Sequence, residues 1–259
     1  MNGLALDVAV RALKDEVTVD LVTNRSMLKE AQRLRYQVYC VERDFLTGQD
    51  GIEYDDYDKY SSHAIVRWKQ TGEVVGTVRL MLPTIHTMGG VYPIQRLCDP
   101  ALLDGLPLKT CGEVSRFALA KQATKQMRDV SPASYSLLRL ALIQGAVLLS
   151  ANAGHTHWLA VMEPTLLRLL RSTGIHFEPL GPKIDYHGLR QPAVAELVPM
   201  LTQLAHEQPV VWDFLTQRGT FYPKSRSILS RVDRVPVRRP LGFAGSHATQ
   251  GVMAEAAAG

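Results

Sequence analysis

"GEVSRFALA", residues 112–120, is an apolar segment bounded by glycine, and its short length is typical of a β-strand. Further along the chain, residues 134–153 are apolar nearly all round, which is typical of a buried helix. The short apolar stretch "HWLAVM" (157–162) predicts a second strand, and residues 164–172 predict a second helix with proline in its first turn. This strand–helix–strand–helix order predicts one parallel βαβ crossover.

The rest of the chain adds antiparallel strands and helices around this unit. "HAIVRWK" (63–69) and "VVGTVRLML" (74–82) alternate and are joined by "QTGE", which predicts a hairpin. A helix capped by Asn24 or Ser26 is expected to run to about residue 43. After residue 172 the pattern indicates a final strand pair and then helical pieces around 196–218. The predicted fold class is therefore α/β (α+β), a mixed central sheet flanked by helices.

The domain organisation follows from composition. Residues 1–22 are expected to form an N-terminal segment, 23–223 a single domain, and 224–259 a flexible tail that is first basic and then rich in alanine and glycine. Prolines and glycines predict a long irregular connection at 83–111. Residues 121–129, "KQATKQMRD", are predicted to form a basic loop.

Composition narrows the protein class. The 259 residues are 46% hydrophobic and 21% charged, which suits a globular core and excludes a disordered chain. Three irregularly spaced cysteines favour a reducing compartment, and the histidines show no metal-ligand spacing, so we expect no disulfide and no metal site. We also expect a cytoplasmic protein with no signal peptide and no transmembrane segment. No phosphate-binding glycine loop is present, and a net charge of +4 is too mild to predict a nucleic-acid partner.

The stretch "LRYQVYCVERDF" (34–45) places a charge among apolar residues. On a helical wheel Arg35 falls within the apolar stripe, whereas Arg33 and Cys40 fall roughly opposite it. Because a guanidinium keeps its proton, Arg35 must either extend its head to solvent or meet a carboxylate. Arg33 is expected to be exposed.

The acidic stretch "EYDDYDKY" offers carboxylates for such a pair. Asp55 and Asp58 are three residues apart and could bind a substrate amino group, orient Arg35, or coordinate a hard cation. A simple solvated loop is the alternative. Arg79, in the hairpin, is either a surface arginine or part of the same site.

Two opposite charges stand in the middle of the core-like strand predicted at residues 112–120. Strict alternation would place Glu113 and Arg116 on opposite faces, and a β-bulge at Val114 to Ser115 would bring them together. Charged residues in such a strand indicate a functional site. No G-x-S-x-G sequence surrounds Ser115, which argues against a serine hydrolase.

These residues together resemble the signature of a known family. In chain order they are R-x-x-V-Y (Arg35 to Tyr39), Phe45, D-x-x-D (Asp55, Asp58), Arg79 in "GTVRL", and Glu113 with Arg116 in "EVSRF". This series resembles the acyl-homoserine-lactone autoinducer synthases of the GNAT N-acyltransferase superfamily. The version with Cys40 and Glu42 more closely resembles the N-acyl amino acid synthases and the PEP-CTERM/exosortase-associated acyltransferases.

The resemblance implies a GNAT-like sheet in which the parallel strands 112–120 and 157–162 splay apart. The pantetheine arm of an acyl thioester would thread the gap, and a bulge in the first strand would supply a backbone N–H for the thioester oxygen. The acyl chain would lie against helix 134–153 and the second strand. The implied reaction is direct transfer of the acyl group to an amine.

The resemblance also implies roles for individual residues. Glu113 would act as the general base, and Arg116 and Arg35 would hold the acidic side chains in place. Asp55 and Asp58 would shape the acceptor pocket. The further residues implied to bind substrate are Arg79 (as a carboxylate ligand or as part of an ion network), Ser115, Phe117, Tyr39 and Phe45.

The implied donor is acyl carrier protein. Many CoA-dependent GNAT enzymes carry a glycine-rich loop after this strand, whose amides hold the pyrophosphate at a helix N-terminus. The corresponding stretch "KQATKQMRDVSPAS" has no glycine but offers Lys121, Lys125 and Arg128, which suit an acidic carrier protein or simply face solvent. No cofactor is expected beyond the acyl-phosphopantetheine thioester as co-substrate, and the acceptor is expected to be an amino acid, a small-molecule substrate.

Two other functions fit the same residues. The chain could be an acyl-homoserine-lactone synthase that uses S-adenosylmethionine, although Phe45 stands where that subfamily usually has tryptophan. It could also be a non-catalytic module that binds an acyl chain or carrier protein. Cys40 is interpreted as a bystander, since direct transfer needs no thiol, and the role of His187 is left open.

Overall fold

The computed structural model describes residues 3–82 and 92–222; the predicted tail and the first part of the predicted 83–111 connection lie outside them. The strands are β1 (Val17–Leu21), β2 (Ser61–Trp68), β3 (Val74–Met81), β4 (Cys111–Leu119), β5 (His157–Met162), β6 (Glu178–Pro179), β7 (Ile184–Asp185) and β8 (Leu189–Glu196). The α-helices are α1 (Gly3–Glu16), α2 (Arg25–Tyr36), α3 (Pro93–Leu97), α4 (Lys121–Val130), α5 (Pro132–Ala153), α6 (Pro164–Arg171), α7 (Leu197–Glu207) and α8 (Pro209–Thr216).

The strands form one open, mixed sheet in the order β1-β2-β3-β4-β5-β8-β6, and β7 pairs with β8 beside it. The predicted hairpin is β2–β3, and the predicted crossover joins β4 to β5 in parallel through α4 and α5. The other pairs of the described sheet are antiparallel. The predicted mixed α/β fold is confirmed. The predicted final strand pair is β6 with β8, and the segment predicted as its second strand also contains the short strand β7.

Helix α5 is the centre of the core. It is buried over most of its length because nearly every position from Leu137 to Ser150 is apolar or small, and it packs against the sheet. By length and composition it could span a membrane, yet 72% of its apolar window is buried within the protein, as in the core helix of a globular domain. Gly154 ends it in the left-handed conformation that favours glycine.

The N-terminal residues pack onto this same core. Helix α1 buries Leu6, Val10 and Leu13 against it, and β1 pairs along β2 from Val17 opposite Trp68. The segment set apart as residues 1–22 therefore supplies an edge strand and a covering helix.

The parallel strands β4 and β5 separate soon after they meet. They pair only at Cys111 with His157, Gly112 with Trp158, and Glu113 with Leu159, although both strands continue further. Past Glu113, the edge of β4 that faces β5 is open. The predicted splay is confirmed, and Glu113 lies at its vertex.

The β-bulge of β4 lies two residues later than predicted. Against β3, Arg79 faces Ser115 and Thr77 faces Ala118, so β4 has one extra residue between them. Arg116 lies in this bulge, and its backbone φ is positive, at 48°. The predicted position, Val114 to Ser115, is wrong because both residues stay in regular register with β3.

Two local predictions about helices also need correction. The first helix is α-helical only to Tyr36 and continues as a π-helix over Gln37–Glu42, so a straight helical wheel misplaces the residues beyond it. Its N-cap is Asn24, whose side chain accepts the Met27 N–H. The stretch predicted as a basic loop is helix α4, because the carboxylate of Glu42 accepts its first amides and so replaces a local cap.

Candidate active site

Arg35 reaches the interior and meets two carboxylates there. Its side chain is fully buried; Nε donates to Glu53, and Nη1 donates to Asp58 Oδ1 at 2.8 Å. The last turn of α2 places Arg35 on the buried face beside Leu34, while Arg33 is exposed. The prediction that Arg35 meets a carboxylate is confirmed, and the alternative in which it extends its head to solvent is wrong.

Arg79 enters the same cluster from β3. It donates to Asp55, to Asp58 Oδ1 at 2.8 Å, and through Nε to Ser115 Oγ at 2.9 Å. Its side chain is 1% exposed, so the surface alternative is wrong. Because its described partners already occupy Nε and Nη1, Arg79 belongs to the ion network.

Arg116 closes the network at the bulge. The left-handed backbone turns its side chain away from regular strand alternation, and Nη2 donates to Glu53 Oε1 and Asp55 Oδ2, each at 2.8 Å. The guanidinium also lies 5.6 Å from the ring centroid of Tyr39, close enough for a cation–π contact.

Three guanidinium groups therefore face three carboxylates in a balanced cluster. Burial alone would raise the pKa of Asp58, but the nearby Arg35 and Arg79 hold that pKa well below its usual range. The same competition between burial and arginine contacts lowers the pKa values of Glu53 and Asp55. Burial lowers the pKa of neighbouring His63 to about 3, so this imidazole is neutral. The cluster stays ionised at neutral pH.

Glu113 is buried apart from this network. Its Oε2 accepts the backbone N–H of Ile94 at 3.1 Å, and burial raises its pKa to about 8. The bulge does not bring it to Arg116, as had been expected, because Arg116 turns towards Glu53 and Asp55 instead. Glu113 is therefore a carboxyl group that is largely protonated at neutral pH.

A cavity of about 400 Å³ lies in the gap between β4 and β5. One wall is the open edge of β4 from Val114 to Leu119, and the other is the end of β5 with the start of α6. The expected site residues that line it are Tyr39, Phe45, Asp55, Arg79, Glu113, Ser115, Arg116 and Phe117. Arg35 and Asp58 lie behind this wall as its buried support.

The mouth of the cavity holds Arg43, Glu163 and Arg190, which no sequence pattern indicates. Arg43 Nη1 contacts Glu163 Oε1 at 2.9 Å, and Arg190 Nη2 contacts the same oxygen at 3.5 Å. Phe45 stacks on His187 with 5.3 Å between ring centroids, so His187 does reach the cavity. In the ion network, Glu53 is the residue to which the sequence assigned no role, because it is marked only as a further carboxylate near Asp55.

The three cations expected to dock a carrier protein stand on α4, outside the cavity. Lys121, Lys125 and Arg128 are exposed on this helix. The N-terminal amides of α4 are not open: Glu42 accepts Lys121 N–H at 3.1 Å and Gln122 N–H at 3.4 Å. Among the described residues no group of three histidine, cysteine, aspartate or glutamate side chains could hold a metal ion.

Comparison with known proteins supports the expected family. Residues 34–129 match the model of the acetyltransferase (GNAT) domain, from the end of α2 through the ion network and β4. None of the curated proteins compared with the chain matches it.

Solved structures share the fold. TofI, in a ternary complex with an inhibitor and MTA, is 21% identical, with 75% of this chain and 99% of TofI covered and a TM-score of 0.55. BjaI with MTA, a CoA-dependent acyl-homoserine lactone synthase, is 19% identical, with 84% and 99% covered and a TM-score of 0.56. FeeM, an N-acyl amino acid synthase from uncultured soil microbes, is 11% identical, with 73% and 96% covered and a TM-score of 0.51.

Residues 34–129 are thus similar to a GNAT acetyltransferase domain, and the splayed mixed sheet is consistent with a GNAT-like fold. The chain shares this fold with TofI, BjaI and FeeM.

Proposed function

We propose that this protein transfers a long-chain fatty acyl group from acyl carrier protein to the amine of an amino acid. The observation that carries the proposal is the position of Glu113, a buried carboxyl at the vertex of the gap between β4 and β5 that also lines the cavity. In this proposal the thioester-bearing arm lies in the gap, and the carboxyl acts as the proton acceptor beside it.

The chemistry follows from these two elements. The amine nitrogen attacks the thioester carbonyl; an N–C bond forms, the C–S bond breaks, and the thiolate leaves and takes up a proton. Ionised Glu113 accepts the proton of the amine, directly or through water. A pKa of about 8 suits this role, because a general base is most effective when its pKa lies near the working pH. In this proposal, backbone amides on the edge of β4 that is unpaired with β5 past Glu113 donate to the developing oxyanion.

The ion network supports this site from behind. Asp55 contacts Arg79 and Arg116 and is 24% exposed on the cavity side, so it is the network carboxylate available to an incoming ammonium group. Asp58 is nearly buried and Arg35 is fully buried, and in this proposal they hold the cavity wall in place. In this proposal the acceptor pocket is formed by Asp55, and Asp58 acts through Arg35 and Arg79.

The choice of acyl carrier protein over CoA rests on α4. A helix N-terminus is a good phosphate site only when its amides are free, and Glu42 already accepts the first two amides of α4. A negative charge at this point also repels a diphosphate. The exposed cations Lys121, Lys125 and Arg128 on the same helix complement an acidic carrier protein.

A second candidate is acyl-homoserine-lactone synthesis from S-adenosylmethionine. It is favoured by the higher sequence identity and TM-scores with TofI and BjaI than with FeeM. In that reaction the thioester would lie in the same gap and Glu113 would again be the base, so only the acceptor would differ.

Product analysis separates these functions. The protein is incubated with dodecanoyl- or hexadecanoyl-carrier protein and either a mixture of the twenty amino acids or S-adenosylmethionine, and products are identified by mass spectrometry. N-acyl amino acids support the proposal, and an acyl-homoserine lactone supports the second candidate. No acylated amine in either mixture identifies a non-catalytic binding module.

The variant Glu113→Gln provides the matched control. Glutamine keeps the size of the side chain and can still accept the Ile94 N–H, but it cannot take up a proton. We expect turnover to fall by about 10²- to 10⁴-fold with an unchanged thermal melt. Unchanged turnover would remove Glu113 from the reaction.

A further inference from the structure

The mouth of the cavity carries two arginines that share a single carboxylate oxygen. Arg43 follows the π-helix, Arg190 lies at the start of β8, and Glu163 lies between β5 and α6, so three separate parts of the chain converge. All three residues line the cavity that also contains Glu113. These three residues are called the mouth triad below.

The mouth triad differs in charge from the inner network. Inside, three arginines are matched by three carboxylates, whereas the mouth triad has two arginines for one carboxylate. Arg190 is also fixed in place: its Nη2 donates to the carbonyl of His187 at 2.7 Å and its Nη1 to that of Leu189 at 3.1 Å. Its side chain is only 13% exposed, whereas that of Glu163 is 36% exposed.

An amino acid brings a carboxylate as well as an amine, and in the part of the chain that the structure describes each arginine of the ion network already pairs with a carboxylate of the protein. Arg79 is occupied by Asp55, Asp58 and Ser115, and Arg35 and Arg116 are occupied by Glu53 and its neighbours. In the mouth triad, by contrast, the carboxylate of Glu163 already lies between two guanidinium groups.

We propose that Arg190 and Arg43 bind the carboxylate of the acceptor amino acid, which takes the place of Glu163. Both arginines contact the same oxygen of Glu163, so their spacing fits one carboxylate between them. Glu163 is partly exposed and can turn towards solvent when the acceptor enters. This inference rests on the proposed function and deepens it: the site selects amino acids over amines that lack a carboxylate.

The experiment uses product analogues, so it needs no turnover. Isothermal titration calorimetry compares N-dodecanoylglycine with N-dodecanoylglycinamide, which differ only in the carboxylate. We expect the wild-type protein to bind the acid about tenfold more tightly than the amide, as is typical when a buried charged hydrogen bond is gained. Arg190→Gln should abolish this preference, while Arg168→Gln, an exposed residue of α6, should retain it.

Glu163→Gln has the opposite expected sign, which a merely structural role would not produce. Removal of the internal competitor should tighten binding of the acid several-fold and leave binding of the amide unchanged. Equal affinity of the wild-type protein for acid and amide, including no binding of either, would overturn the inference. A preference for the acid in a protein that acylates no amine would instead leave the carboxylate site standing and refute the proposed function alone.

Discussion

At the scale of single residues, Arg35 shows how strongly the fold depends on charge pairing. It is fully buried and holds Glu53 and Asp58, which have little contact with water themselves. Removal of one partner from a buried ion network leaves the others uncompensated, and that loss is larger than the net stabilisation the network provides.

We therefore predict that Arg35→Met lowers the free energy of unfolding by about 3–5 kcal/mol. The control is Arg33→Met on the same helix, which is exposed and should change it by less than about 0.5 kcal/mol. Urea denaturation followed by circular dichroism measures both. Equal effects of the two variants would show that the network does not hold α2 in place.

For Glu113 the electrostatic effect is opposite to that in the ion network, because the pKa of this carboxyl is raised and not lowered. Burial raises its pKa to about 8, so the carboxyl is neutral at pH 6 and becomes ionised as the pH rises through 8. If Glu113 is the base, as proposed, its ionised form appears on the alkaline side, and its contribution to the rate should increase with pH over this range.

Carbon-13 NMR of protein labelled at the glutamate carboxyl tests this titration directly. We expect one carboxyl signal to titrate near pH 8 in the wild-type protein and to be missing in Glu113→Gln. Because the measurement needs no substrate, the pKa of the acceptor amine does not interfere with it. A wild-type spectrum in which every glutamate titrates below pH 6 would contradict the assignment.

At the scale of secondary-structure elements, the π-helix of Gln37–Glu42 connects helix α4 with the cavity. It places Glu42 against the N-terminus of α4, and it directs the following residues, Arg43 and Phe45, towards the cavity. A single irregular turn thus caps one helix and furnishes part of the cavity wall.

From the capping role we predict that Glu42→Ala improves the use of acyl-CoA relative to acyl-carrier protein. The variant frees two amides and removes a negative charge from the place where a diphosphate would bind. The ratio of kcat/KM for the two donors should shift towards CoA by about tenfold, the effect of one charged hydrogen-bond partner. Asp129→Ala, near the other end of α4, is the control, and an equal shift in both variants would refute the capping role.

The exposed face of α4 is predicted to dock the carrier protein. Reversing charge in the double variant Lys125→Glu, Arg128→Glu should lower kcat/KM for acyl-carrier protein and make it less sensitive to salt, because complementary charges mainly speed association. Turnover of a small acyl thioester without carrier protein should stay the same. An equal loss with both donors would mean that the variant damages the fold.

Several elements were predictable from the sequence because their signals are local. The β2–β3 hairpin and the β4–α5–β5 crossover follow from alternation, turn residues and an apolar helix, and their bounds agree with the expected ones to within about two residues. Helix α4 was missed because Ala120 is a poor N-cap and the actual cap, Glu42, lies far away in the chain.

Contacts between distant residues limited the prediction of the site. Arg35, Asp55, Asp58, Arg79 and Arg116 were identified, but Glu53 was not, since nothing local separates it from a solvated acidic residue. The bulge was expected, but its position was not, because a left-handed arginine has no sequence signature such as glycine. The mouth triad was missed because its three members are joined only by the fold.

At the scale of the whole molecule, the proposed function places both substrates in one cavity. Its vertex is Glu113, its inner wall is the balanced ion network, and its mouth is the positively charged triad. The covering helix α1 and the central helix α5 keep the opposite face of the sheet closed and apolar. Donor and acceptor would therefore meet in the gap between β4 and β5, with no need for a covalent intermediate on the protein.

A single-turnover experiment tests direct transfer most sharply. Protein in excess over carrier protein loaded with carbon-14-labelled dodecanoate is sampled with and without the twenty amino acids, and the label is followed by electrophoresis and mass spectrometry. We predict that the label stays on the carrier protein without an acceptor and moves straight to an amino acid when one is present. Label attached to the protein itself, or label that never leaves the carrier protein in either sample, would contradict direct transfer.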